Sequence, residues 1–132
     1  MKKIALITTN KILAESLAAS VKAMSDLKFE FFLFLNPHQA LLDAEILEIN
    51  IALIDLALIN IVASHIEKKE ATLSFCERLH KRLPNCHLLL LVSQDDRAGR
   101  KMAMEAKEKK IVEDFMFYDT SLKYLFAKLE AF

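Results

Sequence analysis

An apolar run, Ile51-Ala52-Leu53-Ile54, ends in a carboxylate, Asp55. An acid at the tip of a buried-looking strand costs several kcal/mol unless a partner or a metal compensates it. Asp55 therefore reads as a reactive group at a site, or as what remains of one. Other chemistry-bearing residues are less suggestive. Cys76 and Cys86 lack the Cys-x-x-Cys spacing of a metal site and read as reduced, partly buried thiols. His38, His65, His80 and His87 show no ligand spacing, and the last two read as structural or surface groups. Gly99 is the single glycine of the chain. Phosphate-cradling loops, dinucleotide fingerprints and nucleophile elbows all need several glycines at fixed offsets, so these classes are excluded.

The elements that must position Asp55 follow from hydrophobic patterning. Apolar runs recur at Ile4 to Ile7, Phe29 to Leu35, Ile51 to Ile54, Leu88 to Val92 and Phe115 to Tyr118. Most are nearly continuous rather than alternating, as expected of parallel strands covered on both faces. The second carries Glu30 and suits an edge strand. Helical patterns fill the gaps. Asn10 is a candidate N-cap before Leu13, Leu17, Val21 and Met24 on one face. Asn36-Pro37-His38-Gln39 supplies a cap, a proline at the first helical position and a capping-box Gln. Leu41, Ala44 and Leu47 continue that helix. Leu73, Cys76, Leu79 and Leu83 form a third stripe, stopped by Pro84-Asn85. Asp95 or Asp96 caps a charged fourth helix from Arg97 to about Lys109. Thr120 or Ser121 caps a last one with Leu122, Leu125, Phe126 and Leu129 on one face. Residues 60–70 fit a loop or an early start of the third helix.

A strand–helix unit repeated five times predicts an α/β fold: a doubly wound five-stranded parallel sheet, flavodoxin-like (βα)5, of strand order 2-1-3-4-5. Residues 1–132 form a single domain in this reading. The binding crevice of such a sheet lies outside the carboxyl ends of strands 1 and 3, at Thr8-Thr9 and Asp55.

Composition limits the partners. Apolar residues make up 54% of 132, enough for one core and too many for a disordered chain. Lys+Arg and Asp+Glu balance at 18 each, so the chain lacks the footprint of a nucleic-acid binder. The lysines between Lys107 and Lys110 are interleaved with acid and read as a solvated face. No run approaches the roughly 18 uncharged apolar residues of a spanning helix. The amino-terminal apolar stretch ends too soon for a signal peptide. The expectation is a soluble cytoplasmic protein with no membrane and no nucleic-acid partner.

Taken element by element, the chain resembles a response-regulator receiver (CheY-like) domain. Lys3-Ile4-Ala5-Leu6-Ile7-Thr8-Thr9-Asn10 resembles the first strand of that family, which normally ends in two acids. Asn50-Ile51-Ala52-Leu53-Ile54-Asp55 resembles the third, ending in the phospho-accepting aspartate. Leu91-Val92-Ser93 resembles the fourth, ending in Ser or Thr. Asp114-Phe115-Met116-Phe117-Tyr118 resembles the fifth, which normally ends in Lys. The resemblance implies Asp55 as phosphoacceptor, Thr8, Thr9, Ser93 and Tyr118 as the pocket, and Phe115 as the switch aromatic. In that family the aspartate becomes an acyl phosphate, and Mg²⁺ and a cation stabilise the phosphoryl oxygens.

The chain departs from this plan where the charge should be. Thr8 and Thr9 replace the acidic pair, and Tyr118, a phenol uncharged near pH 7, replaces the lysine. The reading is an atypical, degenerate receiver with no metal site and no cofactor, not an enzyme, acting by protein contact. Asp55 is then a pocket group hydrogen-bonded to Thr8, Ser93 or Tyr118. The implied partners are a histidine kinase or a downstream effector, and a homodimer through helix 4, strand 5 and helix 5. Two alternatives stand beside it. One is a working two-component receiver phosphorylated on Asp55 with Mg²⁺. The other is a small-molecule binder using the crevice near Thr8, Asp55, Ser93 and Tyr118.

Overall fold

Strands and helices alternate along the chain: β1 (Lys2–Ile7), α1 (Lys11–Ala23), β2 (Phe29–Phe34), α2 (Pro37–Leu47), β3 (Ile51–Asp55), α3 (Lys68–Arg82), β4 (His87–Val92), α4 (Arg97–Glu108), β5 (Asp114–Phe117) and α5 (Leu122–Glu130). The computed structural model describes residues 2–23, 29–56, 68–118 and 122–132. All strand pairs are parallel, and the order is β2-β1-β3-β4-β5, as the sequence predicts.

Side-chain alternation divides the core into two layers. Ile4 and Leu6 of β1, Ile51 and Leu53 of β3, and Leu89 and Leu91 of β4 pack with Ala14, Leu125, Phe126 and Leu129. Ala5, Ile7, Ala52, Ile54, Leu88 and Leu90 face the other way, onto Ala40, Ala44, Phe75, Leu79 and Ala103. Every residue of β3 is buried, which explains its unbroken apolar sequence. Cys76 and Cys86 lie in the second layer, and burial pushes the Cys86 thiol up to about 12 and the Cys76 thiol higher still.

Local chemistry fixes the helix ends. Asn10 Oδ1 accepts from Leu13 N at 3.1 Å, and Asn36 Oδ1 accepts from His38 N at 2.9 Å. The expected capping-box bond from Gln39 is not formed. The Gln39 side chain is instead turned along the helix, where its Nε2 donates to Asp43 Oδ2 at 2.7 Å. Asp96, not Asp95, caps α4, its Oδ1 accepting from Gly99 N at 2.9 Å. A Cβ on Gly99 would lie 2.5 Å from Asp96 Oδ2, so the lone glycine makes room for this cap. Glu48 and Lys110 end α2 and α4 in the left-handed region, at φ 57 and 60, where glycine is usual.

Two lysines at the start of β1 close other helix ends. Lys2 Nζ donates to Leu129 O at 3.3 Å and Glu130 O at 2.7 Å, and Lys3 Nζ donates to Leu47 O at 2.9 Å. A cation beside unpaired carbonyls also complements the helix dipole.

The third helix is rotated from its predicted face. Ala71, Thr72, Phe75, Cys76 and Leu79 are buried, whereas Leu73 and Leu83 are only half-buried. Its described part begins at Lys68. The fifth strand ends one residue earlier than predicted, with Tyr118 just past it. Met24, His65, Thr120, Ser121 and residues 60–67 lie outside the described residues.

Candidate functional site

The parallel register of β1 and β3 pairs Ile7 with Ile54. The next residues, Thr8 and Asp55, are therefore neighbours at the carboxyl end of the sheet. Both share the alternation of Leu6 and Leu53 and point toward the α1 and α5 layer. Thr8 is 0% and Asp55 3% exposed, so neither relies on water. Thr8 Oγ1 donates to Asp55 Oδ2 at 2.6 Å and accepts from Asn10 N at 3.0 Å. The turn that starts α1 thus aims the hydroxyl at the carboxylate.

Tyr118 reaches the same group from the other side. Its N–H donates to Val92 O at 3.2 Å, which extends the β4–β5 ladder by one residue. Its Oη donates to Asp55 Oδ1. Leu13 and Leu17 of α1 and Leu125 of α5 line, with Tyr118, a small apolar cavity of about 40 Å³. Both oxygens of Asp55 thus accept from neutral hydroxyls, one from each flank.

Ser93 is not brought to Asp55. Its Oγ accepts from Asp95 N at 3.4 Å and its carbonyl from Asp96 N at 3.2 Å, so the residue is committed to the turn that leads into α4. Of the three partners expected for Asp55, Thr8 and Tyr118 are found and Ser93 is not. Thr9 is half-buried beside Thr8. Phe115 is half-buried against the second layer, with its ring edge-on to Phe117 at 6.0 Å.

Thr72 is a contributor that the sequence reasoning missed. It is fully buried, and its Oγ1 donates to Leu56 O at 3.1 Å. Leu56 N donates to Leu91 O at 3.0 Å, so the residue after Asp55 is held from two elements. The signal was available: Thr72 stands one helical step before Phe75, Cys76 and Leu79, at the spacing of a single buried stripe.

A second engaged carboxylate, Asp114, starts β5 at the opposite pole of the sheet. It pairs with Lys107 of α4 at 3.0 Å and with Lys128 of α5, and accepts from Phe115 N at 2.8 Å. Burial alone would raise its pKa, but the bonds from Lys128, Phe115 and Lys107 outweigh burial and hold it below the usual carboxylate range.

Among the described residues, no second carboxylate stands beside Asp55 to share a hard cation such as Mg²⁺. That ion needs hard oxygen ligands with near-octahedral placement, usually with carboxylates. Thr8 brings no charge, and both Asp55 oxygens are engaged by hydroxyls. Among the described residues no three His, Cys, Asp or Glu side chains converge. Among the same residues no helix is long and apolar enough to cross a membrane.

No family model matches the sequence, and no curated protein matches it. Solved structures do match, over nearly the whole chain. A CheY-like response regulator receiver domain protein from Methanospirillum hungatei superposes with a TM-score of 0.74 at 14% identity, covering 99% of this chain and 92% of its own. The chemotaxis protein CheY4 of Vibrio cholerae gives 0.73 at 10%, covering 99% and 98%. A putative pilus assembly protein (CpaE) from Burkholderia thailandensis gives 0.69 at 19%, covering 99% and 97%. The fold is that of the response-regulator receiver domains, in agreement with the resemblance read from the strand ends.

Proposed function

We propose that the chain is an atypical receiver domain that signals by contact with protein partners, without Mg²⁺-dependent phosphoryl transfer. One observation carries this reading: both oxygens of Asp55 accept from neutral hydroxyls, Thr8 on Oδ2 and Tyr118 on Oδ1. A phosphorylated receiver needs one carboxylate oxygen free to attack and a metal to take up the developing charge. Here the attacking position is capped and the metal ligands are replaced. Asp55 becomes a structural tie between β1, β3 and the end of β5 rather than a nucleophile.

The partners in this reading are a kinase or a downstream effector in the cytoplasm. The face built from α4, β5 and α5 is the candidate contact and homodimer surface, with Met104 and Tyr124 exposed on it. The Lys107–Asp114–Lys128 cluster ties these three elements into one rigid surface.

The test is incubation with a small acyl-phosphate donor and Mg²⁺, followed by intact mass measurement. No adduct is expected on the native chain. A phosphate adduct that disappears in Asp55→Asn would overturn the reading in favour of a working phospho-receiver.

A further inference from the structure

A wide cleft lies at the pole opposite Asp55. It sits where α3 and α4 end and β4 and β5 begin, and has a volume of about 790 Å³. Cys86, Leu88 and Val112 form a buried apolar floor, and His80, Lys107 and Lys110 stand at the rim. A second hollow of about 400 Å³ adjoins it, sharing Asn85 and His87 and adding Lys2 and Phe132. His87 forms the ridge between them: its ring stacks on Phe132 at 4.8 Å, and its Nδ1 is 3.4 Å from a Glu113 oxygen.

The lining of this double trough is unevenly charged. Lys2, Lys107 and Lys110 stand with a single acidic side chain, Glu113, which is already against His87. Basic groups at helix carboxyl ends commonly serve the helix carbonyls. Lys2 does so for α5, and Lys107 is taken by Asp114. Lys110 and His80 are exposed, and among the described residues neither makes an ion pair or a side-chain hydrogen bond. A cationic rim over an apolar floor suits an anion that also carries apolar groups.

The shape selects among such anions. Pockets for small ligands enclose roughly 70–90% of the ligand surface. This trough is open along its length and crosses the starts of β3, β4 and β5, a span of about 10 Å at the usual strand spacing. Three residues of extended chain cover that distance at about 3.3 Å each. We propose that the trough docks a short acidic segment of a protein partner, with apolar side chains interleaved among the carboxylates. The proposal rests on this lining alone and is independent of Asp55.

The test uses amide NMR spectra of the isotope-labelled full chain. The probes are a short capped peptide alternating glutamate and leucine, its lysine–leucine counterpart, and free glutarate. Saturable shifts are expected at Cys86, His87, Ile111, Val112 and Glu113 with the acidic peptide alone. Reversing a rim charge in Lys110→Glu should weaken binding roughly fivefold. Lys110→Gly, which removes the charge from a left-handed position without backbone strain, should weaken it less. No saturable shift, an equal response to the lysine peptide, or an equal response to glutarate would overturn the proposal.

Discussion

Thr8→Val tests the central tie of the site. The substitution keeps the branched shape and removes the hydroxyl that donates to Asp55 Oδ2 at 2.6 Å. With Thr8 at 0% and Asp55 at 3% exposure, water cannot readily replace the lost donor. A hydrogen bond of this kind is worth ~1–3 kcal/mol, the upper part applying when one partner is charged. Thr8 Oγ1 also accepts from Asn10 N, but Asn10 is exposed and its amide can turn to solvent, so that loss adds little. Tyr118 still holds the other oxygen, which keeps the carboxylate from being left bare. The expected destabilisation is about 2 kcal/mol. Urea unfolding of the native chain, Thr8→Val, Asp55→Ala and the double variant, followed by circular dichroism at neutral pH, isolates the pair. The coupling energy should exceed about 1 kcal/mol. A value below ~0.5 kcal/mol, within ordinary additivity, would refute the claim that this hydroxyl serves Asp55.

Two further outcomes are expected. Asp114 has a pKa held below its ordinary value of 3.8, so its contribution is full above that pH and is lost as pH falls through the lowered value. Asp114→Asn should therefore cost about 1 kcal/mol at neutral pH, with the difference shrinking below about pH 4; urea midpoints across the acid range check this. A difference that persists unchanged into strong acid would count against the Lys107–Asp114–Lys128 cluster. Glu48→Gly should raise stability by about 0.5–1 kcal/mol, because glycine relieves the left-handed backbone at φ 57 while giving back part of the gain as unfolded-chain entropy. A higher thermal midpoint is the readout.

The strand order was legible because the continuous apolar runs of β1, β3 and β4 belong to strands buried on both faces. Glu30 marked the edge strand for the same reason in reverse. Asp55 was legible as the one acid ending such a run, and its pairing with Thr8 follows from register alone. What was not legible depends on which way a side chain turns locally. Ser93 has the right residue type at the end of β4, but its oxygens accept from the Asp95 and Asp96 amides in the turn into α4 and it makes no bond to Asp55. Gln39 fits the capping-box pattern, but its side chain points one turn on, to Asp43, rather than back to Asn36. Thr72 was overlooked because a polar residue on an apolar stripe shows its purpose only when its acceptor, Leu56 O, is seen. The trough at the far pole had no sequence signal, since its lining comes from residues scattered over β1, α3, β4, α4 and the chain end.

Lys2 donates to carbonyls of Leu129 and Glu130, partners 127 and 128 residues away along the chain. This contact closes a very long loop. Closing such a loop carries a large entropic cost that only the rest of the sheet can reduce in advance. The order of assembly follows. β1 must first find β2 and β3, and α5 seats after the layer of Ile4, Leu6, Leu53 and Leu91 exists to receive it. In a chain emerging from the ribosome, α1 covers part of that face early, and the remainder waits for α5. Docking of α5 thus completes the layer, and the surface under Leu125, Phe126 and Leu129 is open until that contact forms.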